Sequence, residues 1–266
     1  MPDVRWRPYL RRIELALLEA GRVAEHVWRP GEVHCFDATR SLEHRISDVL
    51  RAGLLSEGEG WLCEEHADHD DRLRCDVVWV VDPVDGTHEF LAGIPEWSIS
   101  VGLVVRGAAV AGGVYNPATR ELFLGSLDAG STYNGEPVSC TRRTTLRDAI
   151  VLASRQEYQR GDWADFAERE FSIRPVGSVA YKLALISAGL ADATWTLSPK
   201  HEWDVAGGIA LVKASGGRAG LLGKLPLEFN SPQPRISGLM ASGESLWQQV
   251  NELVAEVMPQ SPLPTR

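Results

Sequence analysis

The sequence lacks the patterns that mark a membrane-spanning or secreted protein. No apolar run in its 266 residues approaches the roughly 18 needed to cross a bilayer. The N-terminal residues show no apolar core of the signal-peptide type. The four cysteines form neither a CxxC pair nor a disulfide framework, so we expect reduced thiols. These absences predict a cytoplasmic protein with no membrane partner.

Positive charge is also scarce. The 27 Lys and Arg against 36 Asp and Glu give a net charge of −9. An acidic surface repels a phosphate backbone, so we expect no nucleic acid polymer as a partner. A small anionic substrate stays compatible with this charge if metal ions reverse it locally. Gly216-Gly217 is not followed by Lys and Ser or Thr, so it indicates a helix end rather than a phosphate-binding loop.

The order of secondary structure favours a layered α/β protein. There is no internal repeat or low-complexity linker, and hydrophobic periodicity predicts helices over about 8–28, 41–54, 161–170, 178–189, 204–215 and 243–257. Strands are predicted over 77–81, in three runs within 97–125, and over 149–154, 192–196 and 236–241. We expect 1–266 to form a single unit, with an N-terminal half of about 1–145 and a C-terminal half of about 146–257.

What the sequence does contain is three acidic segments. They are Leu-Cys-Glu-Glu at 62–65, Asp-Pro-Val-Asp-Gly-Thr at 82–87 and Trp-Asp-Val-Ala-Gly-Gly at 203–208. The middle segment follows a buried strand, which Pro83 is predicted to end. A bare pair of carboxylates would be costly there. Oxygen ligands without thiolate or imidazole favour Mg²⁺, Mn²⁺ or Ca²⁺, so this segment predicts a site for such a cation.

The same middle segment also suits an anion. Because Pro83 turns the chain, Asp82 and Asp85 can face one point, and the Val84 carbonyl becomes a free oxygen ligand. Gly86 lets the backbone approach an anion closely. Thr87 is predicted to begin a helix, and helix N-termini bind phosphate.

Each acidic segment alone has an ordinary explanation. Asp-rich turns are common, Asp204 at a helix start is typical of an N-cap, and a lone Glu64 is typical of a surface. The run 64–71, which includes His66 and His69, could form a transition-metal site. No rigid spacing holds its residues, so we interpret it as an acidic loop near the active site.

Together the three segments resemble the inositol monophosphatase superfamily, whose pattern is an acidic pair after a strand, then DPxDGTxxF, then WDxAG. Here the segments read CEE at 63–65, DPVDGTHEF at 82–90 and WDVAGG at 203–208, in the same order. The resemblance covers about 8–257. It implies a five-layer αβαβα sandwich of the inositol monophosphatase and fructose-1,6-bisphosphatase type.

The resemblance also implies the residues of the site. The implied metal ligands are Glu64, Asp82, the Val84 carbonyl, Asp85 and Asp204. The substrate would be held by Gly86, Thr87 and Asp204. The expected reaction is hydrolysis of a phosphomonoester by water that a two-metal site activates. Two or three Mg²⁺ ions are expected in all. The expected catalytic residues are Glu64, Thr87 and Asp85. Inhibition by Li⁺ is expected as well.

Two features favour the 3′(2′),5′-bisphosphate nucleotidase branch, which converts adenosine 3′,5′-bisphosphate to AMP and phosphate. One is Glu89 within DGTHEF, and the other is the Gly-Ser-Val-Ala-Tyr-Lys segment at 177–182. In that segment Ser178 and Lys182 would bind substrate, and the lysine would suit a second phosphate. The alternative for Lys182 is a solvated helix residue. An inositol or sugar monophosphatase is the alternative function, and the protein is expected to be a monomer or homodimer.

The chain departs from the family pattern at two places. Residues 36–39 read Phe-Asp-Ala-Thr instead of Thr-x-x-Asp, so the acid that partners Thr87 is missing or displaced, with Asp37 as a candidate. The position four residues after Asp192, where the nucleotidases tend to have Arg, is Thr196. Lys200 or His201 are candidates to supply its charge. The first departure motivates a third hypothesis, a weakened member that senses nucleotide or metal.

Overall fold

A computed structural model describes residues 5–66, 68–222 and 227–257. The described helices are α1 (Arg7–Glu25), α2 (Phe36–Leu54), α3 (Thr87–Leu91), α4 (Arg155–Gln159), α5 (Val179–Ser187), α6 (Glu202–Ala214) and α7 (Trp247–Val257). The described strands are β1 (Gly60–Cys63), β2 (Val77–Asp85), β3 (Ser98–Val105), β4 (Ala108–Asn116), β5 (Glu121–Ser126), β6 (Gly130–Tyr133), β7 (Glu136–Val138), β8 (Ile150–Ser154), β9 (Ser172–Val176), β10 (Ala193–Trp195), β11 (Lys200–His201), β12 (Gly217–Leu221), β13 (Arg235–Ile236) and β14 (Leu239–Gly243).

These elements form five layers. Helices α1 and α2 pack on one face of a seven-stranded sheet in which β1 to β7 lie in chain order. Helices α5 and α6 pack on its other face and are covered by a second sheet with the order β12-β14-β10-β8-β9. Helix α7 packs on the outer side of that second sheet. The predicted αβαβα sandwich is confirmed.

Strand β2 shows how the sequence builds the layers. Successive side chains of a strand point to opposite faces. Trp79 and Val81 therefore join the core under α1 and α2, whereas Val78 and Val80 join the core around α5 and α6. A strand buried on both faces needs this continuous apolar run.

Glycines let α6 lie very close to the first sheet. A Cβ added to Gly102 of β3 would lie 2.7 Å from the Cβ of Ala206, and one added to Gly112 of β4 would lie 2.6 Å from the carbonyl oxygen of Gly207. A Cβ on Gly207 itself would lie 2.7 Å from the carbonyl oxygen of Val101. Helix and sheet therefore touch backbone to backbone along this line.

Most predicted elements are confirmed within a few residues, but the helix predicted over 161–170 is wrong. The Ser154 hydroxyl instead accepts the N–H of Glu157 and starts the short helix α4. Gly161, at φ +84°, follows that helix. Beyond it, Trp163 stacks on Trp195 with ring centroids 4.9 Å apart. The apolar residues in this stretch fill the core under α7 from turns and a single 3-10 turn, so their spacing imitates a helix.

Pro83 does not end β2, contrary to the sequence prediction. The strand continues to Asp85, and Asp82 pairs with Ser100 while Asp85 pairs with Ser98. Two residues of β2 therefore face one residue of β3, which is a β-bulge. A proline is tolerated at a bulge because no ladder hydrogen bond is needed from its nitrogen. The bulge gives the strand end that carries both aspartates its irregular path.

No helix in the described part of the chain is long and apolar enough to cross a bilayer. The strand predicted over 236–241 is divided into β13 and β14. The helix predicted over 41–54 begins earlier, at Phe36, and this shift brings 36–39 into the first turn of α2.

Candidate active site

All nine residues predicted for the site line one cavity of about 300 Å³. They are Glu64, Asp82, Val84, Asp85, Gly86, Thr87, Ser178, Lys182 and Asp204. The cavity lies where β1 and β2 end and where α3, α5 and α6 begin. Three helix N-termini thus meet the ends of two parallel strands, which is a favourable place for anions and cations bound together.

We call Glu64, Asp82, Asp85 and Asp204 the cage acids. The three aspartates among them are each anchored through one carboxylate oxygen. Each anchored oxygen accepts a backbone N–H: that of Asp82 from Val84 at 2.9 Å, that of Asp85 from Ala180 at 2.6 Å and that of Asp204 from His201 at 2.9 Å. The second oxygen of each has no hydrogen-bond donor among the described residues. Anchoring one oxygen orients the other for a ligand.

The cage acids share an unfavourable electrostatic environment. Burial raises the pKa of Asp82, and the neighbouring charges of Glu64 and Asp85 raise it further. Burial also raises the pKa of Asp204 and of Asp85. Glu64 is the most exposed of the four, so solvent screens its charge, but partial desolvation and the charge of Asp204 still raise its pKa. A cation between these groups would relieve both effects.

The donor set fits a hard divalent cation such as Mg²⁺. The donors are oxygens only, they carry net negative charge, and each anchored acid has an oxygen to give. Within residues 5–66, 68–222 and 227–257, no three His, Cys, Asp or Glu side chains stand close enough to form a ready metal cluster. Four like charges are expected to stand apart until a cation binds.

Thr87 has an acidic partner, and it is Glu43. The Thr87 hydroxyl lies 3.2 Å from Oε1 of Glu43 and 3.1 Å from the Val84 carbonyl oxygen, and it can donate its hydrogen to either. Glu43 is only 8% exposed. Burial, with the charge of Glu65 adding to it, raises the pKa of Glu43 to about 7. A buried acid at this place can orient the Thr87 hydroxyl.

Of the two expectations for the partner acid, missing or displaced, the structure supports displacement, and the candidate Asp37 is wrong. Asp37 is exposed in the first turn of α2, whereas Glu43 lies on the buried side of the same helix. The sequence does hold a signal for this. Glu43 directly follows Leu42 within the apolar stripe that continues through Ile46 and Leu50. An acid inside such a stripe needs a buried partner.

Gly86 and Ser178 shape the cavity through their backbones. Gly86 has φ +95°, and an added Cβ would lie 3.2 Å from the Glu96 carbonyl oxygen, so only glycine suits the start of α3. Ser178 has φ +54°, which is uncommon for a residue with a side chain. Its hydroxyl donates to Asp85 and accepts the N–H of Tyr181 at 2.9 Å. Ser178 thereby fixes Asp85, and the substrate contact expected of it stays a prediction.

Two lysines line the same cavity. Lys182 is 2% exposed, and burial together with the charge of Lys200 lowers its pKa to about 8. Neither lysine forms an ion pair within the described chain. Thr196, by contrast, is buried and does not line the cavity, and His201 stacks on Trp203 with ring centroids 4.4 Å apart. Lys200 and His201 are the two candidates to replace the positive charge of an arginine at position 196. Of these, Lys200 lines the cavity.

The acidic run 64–71 does not converge on one point. Glu64 lines the cavity, the ring Nδ1 of His66 lies 2.9 Å from the Ser47 hydroxyl, and Asp68 pairs with Arg72. Because these side chains contact different parts of the protein, the described residues offer no transition-metal site here.

Comparison with known proteins agrees with this geometry. A model of the inositol monophosphatase family matches residues 29–257. An inositol-1-monophosphatase of Mesorhizobium japonicum is 32% identical over 193 residues, covering 68% of this chain and 71% of that protein. A fructose-1,6-bisphosphatase/inositol-1-monophosphatase of Thermotoga maritima is 31% identical over 186 residues, with the same two coverages of 68% and 71%. The structure of CysQ from Bacteroides thetaiotaomicron matches with a TM-score of 0.77 at 22% identity, over 91% of this chain and 99% of that chain, which shows the fold.

The acidic cavity, the family match and the two relatives together define a hydrolase of phosphomonoesters. The chain belongs to the inositol monophosphatase family. The first two relatives are named as phosphatases of inositol phosphate or of fructose-1,6-bisphosphate, so the nucleotidase branch stays a prediction.

Proposed function

We propose that this phosphatase depends on Mg²⁺ and acts on small substrates that carry a second anionic group, in the manner of a 3′(2′),5′-bisphosphate nucleotidase. The observation that carries the proposal is the division of charge within one cavity. The cage acids suit the cations, while Lys182 and Lys200, without ion pairs among the described residues, suit an additional anion. Adenosine 3′,5′-bisphosphate, converted to AMP and phosphate, is the substrate that we expect.

Each residue has a proposed part in this reaction. Glu64, Asp82, Asp85, Asp204 and the Val84 carbonyl would hold two or three Mg²⁺ ions, which when bound supply charge neutralisation and activation of water. The free N–H groups at Gly86 and Thr87, at the start of α3, would hold the scissile phosphate. The Thr87 hydroxyl, held toward Glu43, would together with Glu64 orient the attacking water.

Both halves of the chain contribute to the proposed site. Glu64 and Asp82 come from the first half, whereas Lys182 and Asp204 come from the second. This supports the proposal that 1–266 acts as one unit. The cytoplasmic location and a monomeric or homodimeric state stay predictions.

Comparison of a matched substrate pair tests the proposal. Adenosine 3′,5′-bisphosphate and adenosine 3′-monophosphate differ only in the second phosphate. We expect Mg²⁺-dependent release of phosphate from both, with the bisphosphate preferred. Lys182→Met should raise KM about tenfold or more for the bisphosphate alone, since a hydrogen bond to a charged group is worth about 1.5–3 kcal/mol. Methionine keeps the buried volume of the side chain close to that of lysine.

Lys213→Met is the matched control. Lys213 lies on α6, is also partly buried, and does not line the cavity. It should leave both KM values unchanged. Equal effects of Lys182→Met on the two substrates would remove the second-phosphate assignment, and no turnover of any phosphomonoester with Mg²⁺ would refute the proposal as a whole.

Lithium should inhibit the enzyme. Li⁺ is small and hard, so it can occupy an oxygen site shaped for Mg²⁺. With one charge instead of two it stabilises a leaving oxygen less well. The expected place is among Asp82, Asp85 and Asp204, and the inhibition should weaken at high Mg²⁺. Initial rates in LiCl and NaCl at equal ionic strength measure it, and identical rates would show that the site excludes Li⁺.

An inositol monophosphatase is the second candidate, because the Mesorhizobium relative carries that name. Preference for inositol 1-phosphate over both adenosine nucleotides in the same assay would favour it. The hypothesis of a weakened sensor has less support, because Glu43 lies 3.2 Å from the Thr87 hydroxyl and can serve as the partner acid.

A further inference from the structure

A buried arginine outside the cavity makes an unusually complete set of bonds. Arg72 lies in the 3-10 helix Asp70–Arg74, and its side chain is 1% exposed. Its Nε and Nη2 donate to the two carboxylate oxygens of Asp68, each at 2.6 Å. Its Nη1 donates to Oδ1 of Asn230 at 2.6 Å, and Nη2 also donates to the Ser231 carbonyl at 2.9 Å. A bidentate pair of this kind fixes both partners in one orientation.

The same two residues, Asn230 and Ser231, are also bound from the other side. Their backbone N–H groups donate to the carboxylate of Glu202 at 2.6 Å and 3.0 Å. Glu202 is 1% exposed and lies in the first turn of α6. The Asn230 side chain returns a bond of 3.0 Å to the Arg72 carbonyl. A continuous chain of hydrogen bonds therefore runs from Asp68 to Glu202, and we call it the Arg72 clamp.

Both ends of the Arg72 clamp lie next to cage acids. Asp68 comes four residues after Glu64, and Glu202 comes two residues before Asp204. Asp204 is fixed by its place in α6, but Glu64 follows the end of β1 and belongs to no helix or strand. A side chain on such a segment keeps its position only if the segment is anchored elsewhere. His66 ties this segment to α2 through Ser47. Among the described residues, the bond of Asp68 to Arg72 is the anchor that reaches α6.

We infer that the Arg72 clamp is a positioning device for the proposed metal site, which ties the segment that carries Glu64 to the helix that carries Asp204. This inference rests on the proposed function. Arg72 and Asp68 touch neither substrate nor cation in it, and they act through Glu64. Loss of the clamp is expected to weaken metal binding more than it slows the loaded enzyme.

Asp68→Asn in the full chain tests the inference. Asparagine cannot form the charged bidentate pair, and the Asp68 side chain is 36% exposed, so the variant should fold. Mn²⁺, which prefers the same oxygen ligands and is visible by EPR, is titrated directly. The expected result is a Kd for Mn²⁺ about tenfold higher than in the wild type. This is the lower end of the effect of a direct partner of a metal ligand, because Asp68 acts on Glu64 through the chain and not by contact. The kcat at saturating Mn²⁺ should stay within about twofold.

Asp76→Asn is the matched control. Asp76 accepts two bonds from Arg106, at 3.2 Å and 2.9 Å, and this pair is exposed and does not line the cavity. The same chemical change there should leave the Kd for Mn²⁺ unaltered. Thermal unfolding of both variants is measured alongside, because a purely structural role of Asp68 would lower Tm without changing the Kd.

The possible outcomes separate the inference from the function on which it rests. A wild type that binds Mn²⁺ no more tightly than Asp68→Asn would overturn the Arg72 clamp alone. Equal weakening in Asp76→Asn would also overturn it, since the effect would then not be specific to the clamp. No binding of Mn²⁺ by the wild type would overturn the metal role in the proposed function and the clamp with it.

Discussion

Asp85→Asn is expected to lower kcat by about a thousandfold or more at saturating Mg²⁺ while the protein stays folded. One metal ligand contributes several kcal/mol of charge stabilisation in the transition state, and about 4 kcal/mol corresponds to that factor. The fold should survive because an asparagine oxygen can still accept the N–H of Ala180, as the carboxylate does at 2.6 Å. Burial already raises the pKa of Asp85, so its charge does not help the protein fold.

A carboxylate with similar bonds elsewhere provides the control for this experiment. Asp128 also accepts a backbone N–H, from Trp6 at 3.0 Å, and a serine hydroxyl, from Ser126 at 2.6 Å, but it does not line the cavity. Asp128→Asn should keep the wild-type kcat. Circular dichroism and thermal unfolding show whether both variants are folded. Near-normal turnover of Asp85→Asn at saturating Mg²⁺ would mean that Asp85 is not a metal ligand.

Glu43→Gln is expected to lower kcat by about a hundredfold with little change in KM. Glutamine has nearly the same shape and can still accept the Thr87 hydroxyl, but it cannot take up a proton. General acid–base assistance through a positioned side chain is worth about a hundredfold or more. Because the effect falls on the transition state, kcat should drop and KM should not rise. Steady-state kinetics with the preferred substrate measure the two constants separately.

Two further variants define the part that Glu43 plays. Asp37→Asn removes an acid from the same helix without touching Thr87, and it should be silent. Glu43→Ala removes the acceptor altogether. If Glu43→Gln retained full activity while Glu43→Ala lost it, Glu43 would only orient Thr87. If both retained it, the pairing of Glu43 with Thr87 would have no part in catalysis.

The site was predictable from the sequence where the chain itself brings residues together. Asp82, Asp85, Gly86 and Thr87 are near neighbours along the chain, so their order predicts a shared place at a strand end. The cavity indeed holds all of them. The placement of Asp204 was predictable from a second local pattern, the Trp-Asp-Val-Ala-Gly-Gly motif at a helix start.

The parts of the site that the sequence did not predict depend on contacts between distant segments. Glu43 reaches Thr87 across 44 positions, and only the packing of α2 against β2 decides which acid of that helix faces the cavity. Lys200 and Lys182 likewise meet at the cavity from two separate elements, β11 and α5. The interest of Asp37 and Thr196 follows from the order of motifs along the chain, which does not determine where a side chain points.

The errors in the fold have a similar origin. Trp163 and Phe166 are three positions apart, a spacing that would place them on one face of a helix. In the structure, turns bury the same two rings in the core without a helix. A proline usually ends a strand. Pro83 is acceptable inside β2 because it lies in the bulge opposite Ile99. Local preference was overruled in both cases by a requirement of the surrounding packing.

The glycines between α6 and the first sheet have a consequence for how the family can diversify. At Gly102, Gly112 and Gly207 the helix that carries Asp204 comes very close to the main chain of the sheet that carries Asp82. Along this line the spacing between the two elements is therefore set by close contact with the main chain. We expect exchanges of apolar residues far from this line to leave the proposed metal site in place. Loops around the cavity can meanwhile change the substrate while the reaction stays the same.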